Sequence, residues 1–597
     1  MSNLAPPKKK RKVSGVGNVL SNTQIEACLA REDSSGSEAE NVPENFIPEQ
    51  SDHDSNSEES ASEDEEPIQE NQQSESDSDD QPLSRLVRCF VGKNRFKWAK
   101  DPPNRAVRTS HCNIIARMPE TRLDVHDERN PFSLWQKIMS MDILEEILKW
   151  TNEKIRELKL KYSRENRPEL QDLDMIELHA FLGLLMYTAV FKSNHENCEY
   201  LFATDGTGRD IFRSVMSQKR FLNLLLCLRF DNGVDRQERK ENDKLAAISN
   251  IFRLFVHNCQ SLYNIGECAT IDEMLIAFRG RSYFVMYMPN KPSKYGLKMM
   301  CMCDAKTNYF YNGYIYCGKG SDGETLTNEE KKFLVPSQAV IRLTKPIHGS
   351  NRNVTFDNWF TSIELVDALI KRGLTCVGTL KKNKREIPKE FLPSKSRDVG
   401  STLYGFTNQM TLISHVPKKN KGVCLVSSMH HCESIDENTG KPEIIAYYNS
   451  TKGGVDEIDK KCSIYTCSRR TRRWPMVIFY RMLDISTVNA HVLYQADGVN
   501  AIDRGQFIKI LARTAVLSHM QRRVYNTHIP RDIRVNLARI LGSDLPPEPQ
   551  NLEDMPKTRK TCASCPPKLN RKSNYQCNTC KKHVCLQCAK QLCPDCQ

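Results

Sequence analysis

No apolar run in the 597-residue chain is long enough to cross a membrane. The longest, HAFLGLLMYTAVF at 179–191, holds 13 residues without a charged group, against about 20 needed to span. It reads as a buried helix. The first residues also lack the apolar core segment of a secretory signal. Basic residues are missing elsewhere: positions 32–80 hold 19 acids and no Lys or Arg. Rich in Ser, Glu, Asp and Gln, this stretch has too little apolar surface to offset its ordering entropy, and disorder is expected from 14 to about 85. Serines followed by acids, as in SESDSDD, suit acid-directed kinases; a passive solubilising tail is the alternative.

The rest of the chain compensates in charge. Residues 81–597 carry a net +26. A body that basic beside a tail that acidic points to a polyanionic partner, nucleic acid ahead of membrane. An ordinary solvated basic surface is the competing explanation. PPKKKRKV at 6–13 is similar to viral-type import signals fused to recombinant proteins; it predicts a nuclear address and is set aside for fold reasoning. Of 23 cysteines, eight fall in the last 36 residues and 15 are scattered. Disulfides are not expected in a nuclear chain, so the scattered ones read as small core residues.

Ordered structure is expected to begin between Asn94 and Pro131. Residues 141–162 place Ile143, Leu144, Ile147, Leu148, Thr151, Ile155 and Leu158 on one helical stripe. Helices at 175–191, 217–230 and 245–263 complete an all-α block. Short β-rich runs follow (ATIDEMLIAF, YFVMYMP, YGLKMMCMCD, YFYNGYIYCG), broken by Pro, Gly and Asn-Gly, and predict an antiparallel meander. NVTFDNWF, SIELVDALIKRG and LTCVGTLKKNK then read as strand, helix and strand, giving a mixed α/β sheet. Residues 385–443 predict a mostly β insertion. Helices return after 465, notably at 475–495, and a Pro-rich acidic linker at 544–557 precedes the cysteines.

Three acids occupy costly places. Asp272 lies inside the first β run, on the face opposite Ile271 and Glu273, where a charge is unfavourable unless paired or metal-bound. Asp357 ends a later strand. Asp456 and Asp459 open a helix after a Lys-Gly-Gly turn, at i and i+3 and so on one face. Carboxylates gathered from separate elements repel, and a hard divalent cation relieves that. Two such ions about 4 Å apart suit activation of a water or a 3′-hydroxyl at a phosphodiester. Each acid alone has a plainer role: Asp357 as an Asx cap near 362, Asp456 as a charge favoured by the helix dipole.

TIDEMLIAFRGR, YMPNKPSKYGLK, FDNWFTS, VGTLKKNKREIP, YYNSTKGGVDEIDK and TCSRRTRRWP, in this order and followed by a Cys-rich end, resemble the piggyBac family of DNA transposases from about residue 130 onward. The resemblance implies an RNase H-like catalytic sheet in two parts (268–384 and 444–465), interrupted by the 385–443 insertion. A composite helical DNA-binding and dimerisation domain (120–267 and 466–543) would flank it. A cross-brace zinc domain at 558–597 would close the chain, and 14–119 would form the acidic amino-terminal region after the 1–13 tag. The implied triad is Asp272, Asp357 and Asp456, with Asp459 as adjacent fourth acid. The triad would bind two Mg2+ in a homodimer that acts on double-stranded DNA. Members cut transposon terminal inverted repeats through hairpins and insert at TTAA. Trp474 would stack on a base. Lys291, Lys294, Lys381, Lys384, Arg469, Arg470, Arg472 and Arg473 are candidate DNA contacts. A domesticated, non-catalytic chromatin adaptor is the alternative.

The end of the chain reads C562-x2-C565-x11-C577-x2-C580-x4-C585-x2-C588-x4-C593-x2-C596. CxxC knuckles let two thiolates grip a tetrahedral Zn2+, so eight make two sites, and so short a segment depends on metal for folding. Spacing leaves sequential and interleaved pairing open. The resemblance favours Cys562, Cys565, Cys585 and Cys588 on one ion, with Cys577, Cys580, Cys593 and Cys596 on the other. His583 is expected at the surface. A net +8 from 556 onward favours DNA over a RING or PHD-like protein partner, with Lys568, Arg571, Lys572, Lys581 and Lys582 as the candidates. MHHC at 429–432 lacks a second knuckle and reads as a loop with exposed histidines.

Overall fold

The computed structural model describes residues 48–50, 89–103, 113–115, 120–121, 130–163, 167–394, 396–496, 502–545, 559–577, 580 and 582–589. The import-type tag, most of the acidic segment, Lys581, Cys593 and Cys596 lie outside them. The chain divides into two compact units, up to His519 and from Met520 onward.

In the first unit the longer leading helices are α1 (Pro131–Ile138), α2 (Met141–Lys161), α3 (Met175–Val190), α4 (Gln218–Cys227) and α5 (Ser249–Leu262). Local chemistry sets their starts. Asn130, Asp174 and Ser217 accept a backbone N–H from the first turn of α1, α3 and α4, and Pro131 opens α1. The stripe of α2 is buried as its spacing predicts, Leu148 partly, and is joined by Asn152, which trades hydrogen bonds of 2.8 and 2.6 Å with the Leu173 backbone. Across α3, residues 180–189 are all buried.

These helices share a core with α10 (Trp474–Gln495). Trp135 on α1 donates through Nε1 to Ser486 Oγ on α10 at 2.8 Å, 351 positions apart, and both residues are fully buried. Two separated stretches of sequence thus form one helical body.

Among the described residues, the main sheet has 12 strands. They are β1 (Glu49–Gln50), β2 (Cys89–Val91), β3 (Lys97–Ala99), β4 (Cys268–Ala277), β5 (Val285–Tyr287), β6 (Tyr295–Asp304), β7 (Phe310–Ile315), β8 (Asn353–Phe356), β9 (Thr375–Thr379), β10 (Thr402–Phe406), β11 (Thr411–Lys418) and β12 (Lys421–Ser427). Their order is β1-β5-β6-β4-β8-β9-β12-β11-β10-β3-β2, with β7 also on β6. Within it, β4, β6 and β7 form the expected antiparallel meander, and β8 and β9 add in parallel to β4. Helix α6 (Val335–Thr344) joins β7 to β8 and α7 (Ile363–Lys371) joins β8 to β9. That is the RNase H-like arrangement.

One sequence expectation is met and one needs correction. The 385–443 insertion is β-rich as expected, and β12 pairs antiparallel with β9, so the insertion prolongs the sheet through β11 and β10. An open β9 edge would expose unpaired backbone groups, and β12 satisfies them. Order also begins before Asn94: the β2–β3 hairpin docks on β10 and buries Trp98 completely, with Nε1 donating to the Glu386 carbonyl at 2.9 Å.

Helices α8 (Glu443–Thr451) and α9 (Gly454–Ile464) return the chain to the sheet. Thr270 on β4 and Thr355 on β8 are directly paired in register. The Thr270 hydroxyl donates to the Thr451 carbonyl at 2.6 Å, and the Thr355 hydroxyl lies 2.8 Å from Thr451 Oγ1. Gly454 then starts α9 so close to the strand that an added Cβ would stand 2.5 Å from Thr270 Oγ1 and 2.9 Å from Thr270 Cβ. Gly454→Ala is expected to cost about 1–3 kcal/mol through this overlap, read as a lower denaturation midpoint. An unchanged midpoint would mean that α9 can lift off β4 freely.

The second unit holds α11 (Arg531–Leu541), closed by Gly542 at φ 67°, and the cysteine-rich segment with a small ladder between Lys560–Thr561 and Lys572–Ser573.

Candidate active site

Three elements deliver the acids. Asp272 lies mid-strand on β4, opposite Cys301 of β6, and its Oδ1 accepts the Glu273 N–H at 2.8 Å. Across β4, Phe356 of β8 pairs with Ile271, so Asp357 leaves the sheet beside Asp272; neighbouring strands run about 4.8 Å apart. Asp456 is in the first turn of α9, which Gly454 seats on Thr270 of the same strand.

Asp357 is a turn residue as well. Its Oδ1 accepts the Trp359 N–H at 2.9 Å and its carbonyl accepts the Thr361 hydroxyl at 2.6 Å. The alternative role, a cap for the helix near 362, falls to Ser362, which accepts the Leu365 N–H at 3.2 Å. The Asx turn fixes where the carboxylate points as the strand ends.

The electrostatics belong to a crowded acid cluster. Burial raises the Asp456 pKa above the usual carboxylate value; Glu273 and Asp459 add repulsion, while Lys291 and Lys452 oppose it. Glu273, adjacent to Asp272, is only 1 % exposed. Asp459 turns to Arg481 of α10 in a 2.9 Å ion pair. A hard cation suits the all-oxygen donor set of Asp272, Asp357 and Asp456 and would relieve the repulsion that raises Asp456. Among the described residues, the only group of three or more potential ligands lying within 4.8 Å of one another is made of cysteines. Oxygens sharing one Mg2+ would lie no more than about 4.2 Å apart. Among the described residues, Asp272, Asp357 and Asp456 do not form such a group.

The basic candidates separate by burial. Lys294, Arg470 and Arg472 are exposed, and Lys381 and Lys384 are half-buried beside a cleft walled by Trp359 and Thr361. Three others differ from expectation. Lys291 points into the acid cluster, its Nζ 3.4 Å from Glu273 Oε1. Arg473 is 6 % exposed and donates to the Leu225, Leu226 and Leu228 carbonyls at the end of α4, so its charge is used inside the helical body. Trp474 is 3 % exposed and packs edge-on against Phe284, leaving no ring face open to stack a base. Arg469 is half-buried and donates to the Glu196 carbonyl at 2.7 Å.

In the terminal segment, Cys562, Cys565, Cys585 and Cys588 come together. Cys565 Sγ lies 3.6 Å from Cys585 Sγ and 3.5 Å from Cys588 Sγ. Thiolates around a tetrahedral Zn2+ at about 2.3 Å would be about 3.8 Å apart, so this quartet fits zinc. Cys577 and Cys580 are described, whereas Cys593 and Cys596 of the other expected quartet are not. His583 is buried, contrary to expectation, because Nδ1 meets the Ser573 carbonyl at 2.9 Å and Nε2 meets Gln576 at 2.8 Å, bracing the module. His430 in MHHC is likewise buried, 2.8 Å from Ser427 Oγ. Lys568, Arg571, Lys572 and Lys582 are exposed.

The family described as "Transposase IS4" matches residues 130–491. A solved cryo-EM structure, that of a piggyBac transposase synaptic complex with hairpin DNA, is 39% identical with a TM-score of 0.67, covering 81% of this chain and 100% of that one. This chain belongs to the piggyBac family of transposases. Among curated relatives, PiggyBac transposable element-derived protein 3 of Homo sapiens is 21% identical over 394 residues, 63% of each chain. PiggyBac transposable element-derived protein 2 of Homo sapiens is 20% identical over 450 residues, 70% of each. The alignment thus spans 63% of the first relative's length.

Two residues of this piggyBac-family site escaped the sequence reading. Lys298 is a cation in the middle of a buried β run, the same signal that singled out Asp272, and it is 3 % exposed. Glu273 entered the sequence reading only as a marker of the face opposite Asp272. Metal dependence of the cysteine module is directly measurable. Chelation of zinc is expected to abolish amide-exchange protection at Ala563 and Val584, which bond the His583 and Tyr575 carbonyls, and to leave β4 protected. Equal protection with and without chelator would show that the module folds without metal.

Proposed function

We propose that this protein is a cut-and-paste DNA transposase that binds transposon terminal inverted repeats, excises through hairpin intermediates and integrates at TTAA. The observation that carries the reading is the gathering of Asp272, Asp357 and Asp456 from strand, strand end and helix tip on an RNase H-like sheet of this family. Two Mg2+ would be held by these three acids, and bound there they supply charge stabilisation at a phosphodiester. The chain's own residues do the positioning. The Asx turn aims Asp357, the Thr270–Thr451 bond seats Asp456, and the exposed Lys294, Arg470 and Arg472, with Lys381 and Lys384, hold the DNA phosphates. Such contacts make binding weaken steeply with salt.

The cysteine module, holding two Zn2+ per chain, reads the terminal repeats through Lys568, Arg571, Lys572, Lys581 and Lys582. The protein acts as a homodimer in the nucleus, and Asp459 supports the site beside Asp456. With Mg2+ and a transposon-end duplex flanked by TTAA, wild type is expected to give nicks and hairpins, and Asp357→Asn at least about 1,000-fold less. If the two behave alike, catalysis by this acid set is refuted and the DNA-binding adaptor remains. Removal of 557–597 is expected to abolish end-specific binding in a gel-shift assay; retained specificity would exclude the module as the reader.

A further inference from the structure

Lys291 pairs with the buried carboxylate next to Asp272, a second buried lysine, Lys298, stands on the neighbouring strand, and the cutting reaction as read above assigns neither a task. Lys291 follows β5 in a turn closed by its N–H on the Met288 carbonyl at 3.2 Å. Its Nζ reaches back to β4, 3.4 Å from Glu273 Oε1 and 3.5 Å from the Glu273 carbonyl oxygen. Lys298 stands on β6 opposite Leu275, on the sheet face shared with Glu273 two residues away. Its Nζ lies 4.7 Å from the Trp359 ring centroid and 5.7 Å from that of Tyr316. Glu273 donates its N–H to Asp272 Oδ1 at 2.8 Å, and Trp359, the ring under Lys298, donates its N–H to Asp357 Oδ1 at 2.9 Å, so the two lysines lie beside two members of the triad.

Such burial suits a partner of the protein's own anions better than a contact for DNA phosphate. A desolvated carboxylate is strongly unfavourable unless paired, and removal of one partner leaves a buried uncompensated charge. We propose that Lys291 and Lys298 are resident counter-ions of the acid cluster: they hold it assembled before a divalent cation binds and weaken the affinity for that cation. The same Coulomb field does both, stabilising the metal-free carboxylates and repelling an incoming cation. The proposal rests on the reading of this cluster as a divalent-cation site. It makes these lysines positioning residues.

The test compares full-length, zinc-loaded wild type with Lys291→Met, Glu273→Gln and the double variant, in buffer freed of Mg2+ by a resin. Lys291→Met is expected to melt several degrees lower than wild type and to bind Mg2+ tighter, on the order of three- to tenfold, by calorimetry. Neutralising Glu273 in the double variant should restore most of the lost melting temperature. Lys298→Met carries the same two expectations should Lys291→Met fail to fold. A purely structural lysine would lower the melt without tightening Mg2+. An unchanged melt, or weaker Mg2+ binding, overturns the proposal. Wild type that takes up no Mg2+ refutes the divalent-site reading instead, and the melting comparison still decides whether the lysines are counter-ions.

Discussion

The bond from the Thr270 hydroxyl to the Thr451 carbonyl, 2.6 Å long and buried, is the contact on which the site depends. It joins the strand that carries Asp272 to the end of the helix just before the one that carries Asp456. Thr355, paired with Thr270 in register, brings the strand of Asp357 to the same residue. Three hydroxyls at one junction therefore set the relation among three acids spread over 185 positions. Gly454 completes the constraint by admitting α9 to a separation that any side chain would prevent. Hydroxyl pairs tolerate little displacement before a buried polar group loses its partner.

A second constraint is charge. Bringing carboxylates from three elements together is unfavourable in itself, and the protein answers with ammonium groups from a turn and from a neighbouring strand. Lys291 stays charged above its ordinary value because Glu273, Asp272 and Asp456 outweigh its burial, whereas burial prevails at Lys298 and lowers it. Farther out, the Asp459–Arg481 ion pair ties α9 to α10. The helical body thus shares in orienting Asp456, since α10 also packs on α1 through Trp135 and Ser486.

Much of this organisation could be read from residue order. Helical stripes such as that of α2, the meander of β4, β6 and β7, and the paired cysteine knuckles are local patterns, and local patterns survive in a linear reading. An acid inside TIDEML or at the end of NVTF stands out because a charge there is costly. The same argument applied to YGLKMM would have found Lys298. Arg473 and Trp474 were misread for a related reason: a basic run beside an aromatic looks like a nucleic-acid surface, and nothing local reveals that one arginine turns inward onto α4. Where the 385–443 insertion attaches was not legible, because strand pairing partners are not written in the strands themselves.

The sequence by itself determined the element types and the family and singled out the acids and thiolates, because these rest on periodicity, residue chemistry and collinear motifs. Only the tertiary structure decided which elements carry the acids side by side, that β12 prolongs the sheet, and which cations are exposed and which are buried against the protein's own groups. The physical reason is distance along the chain. Asp272 and Asp456 are 184 positions apart, and their proximity depends on a hydroxyl bond and a missing Cβ that no local pattern reveals.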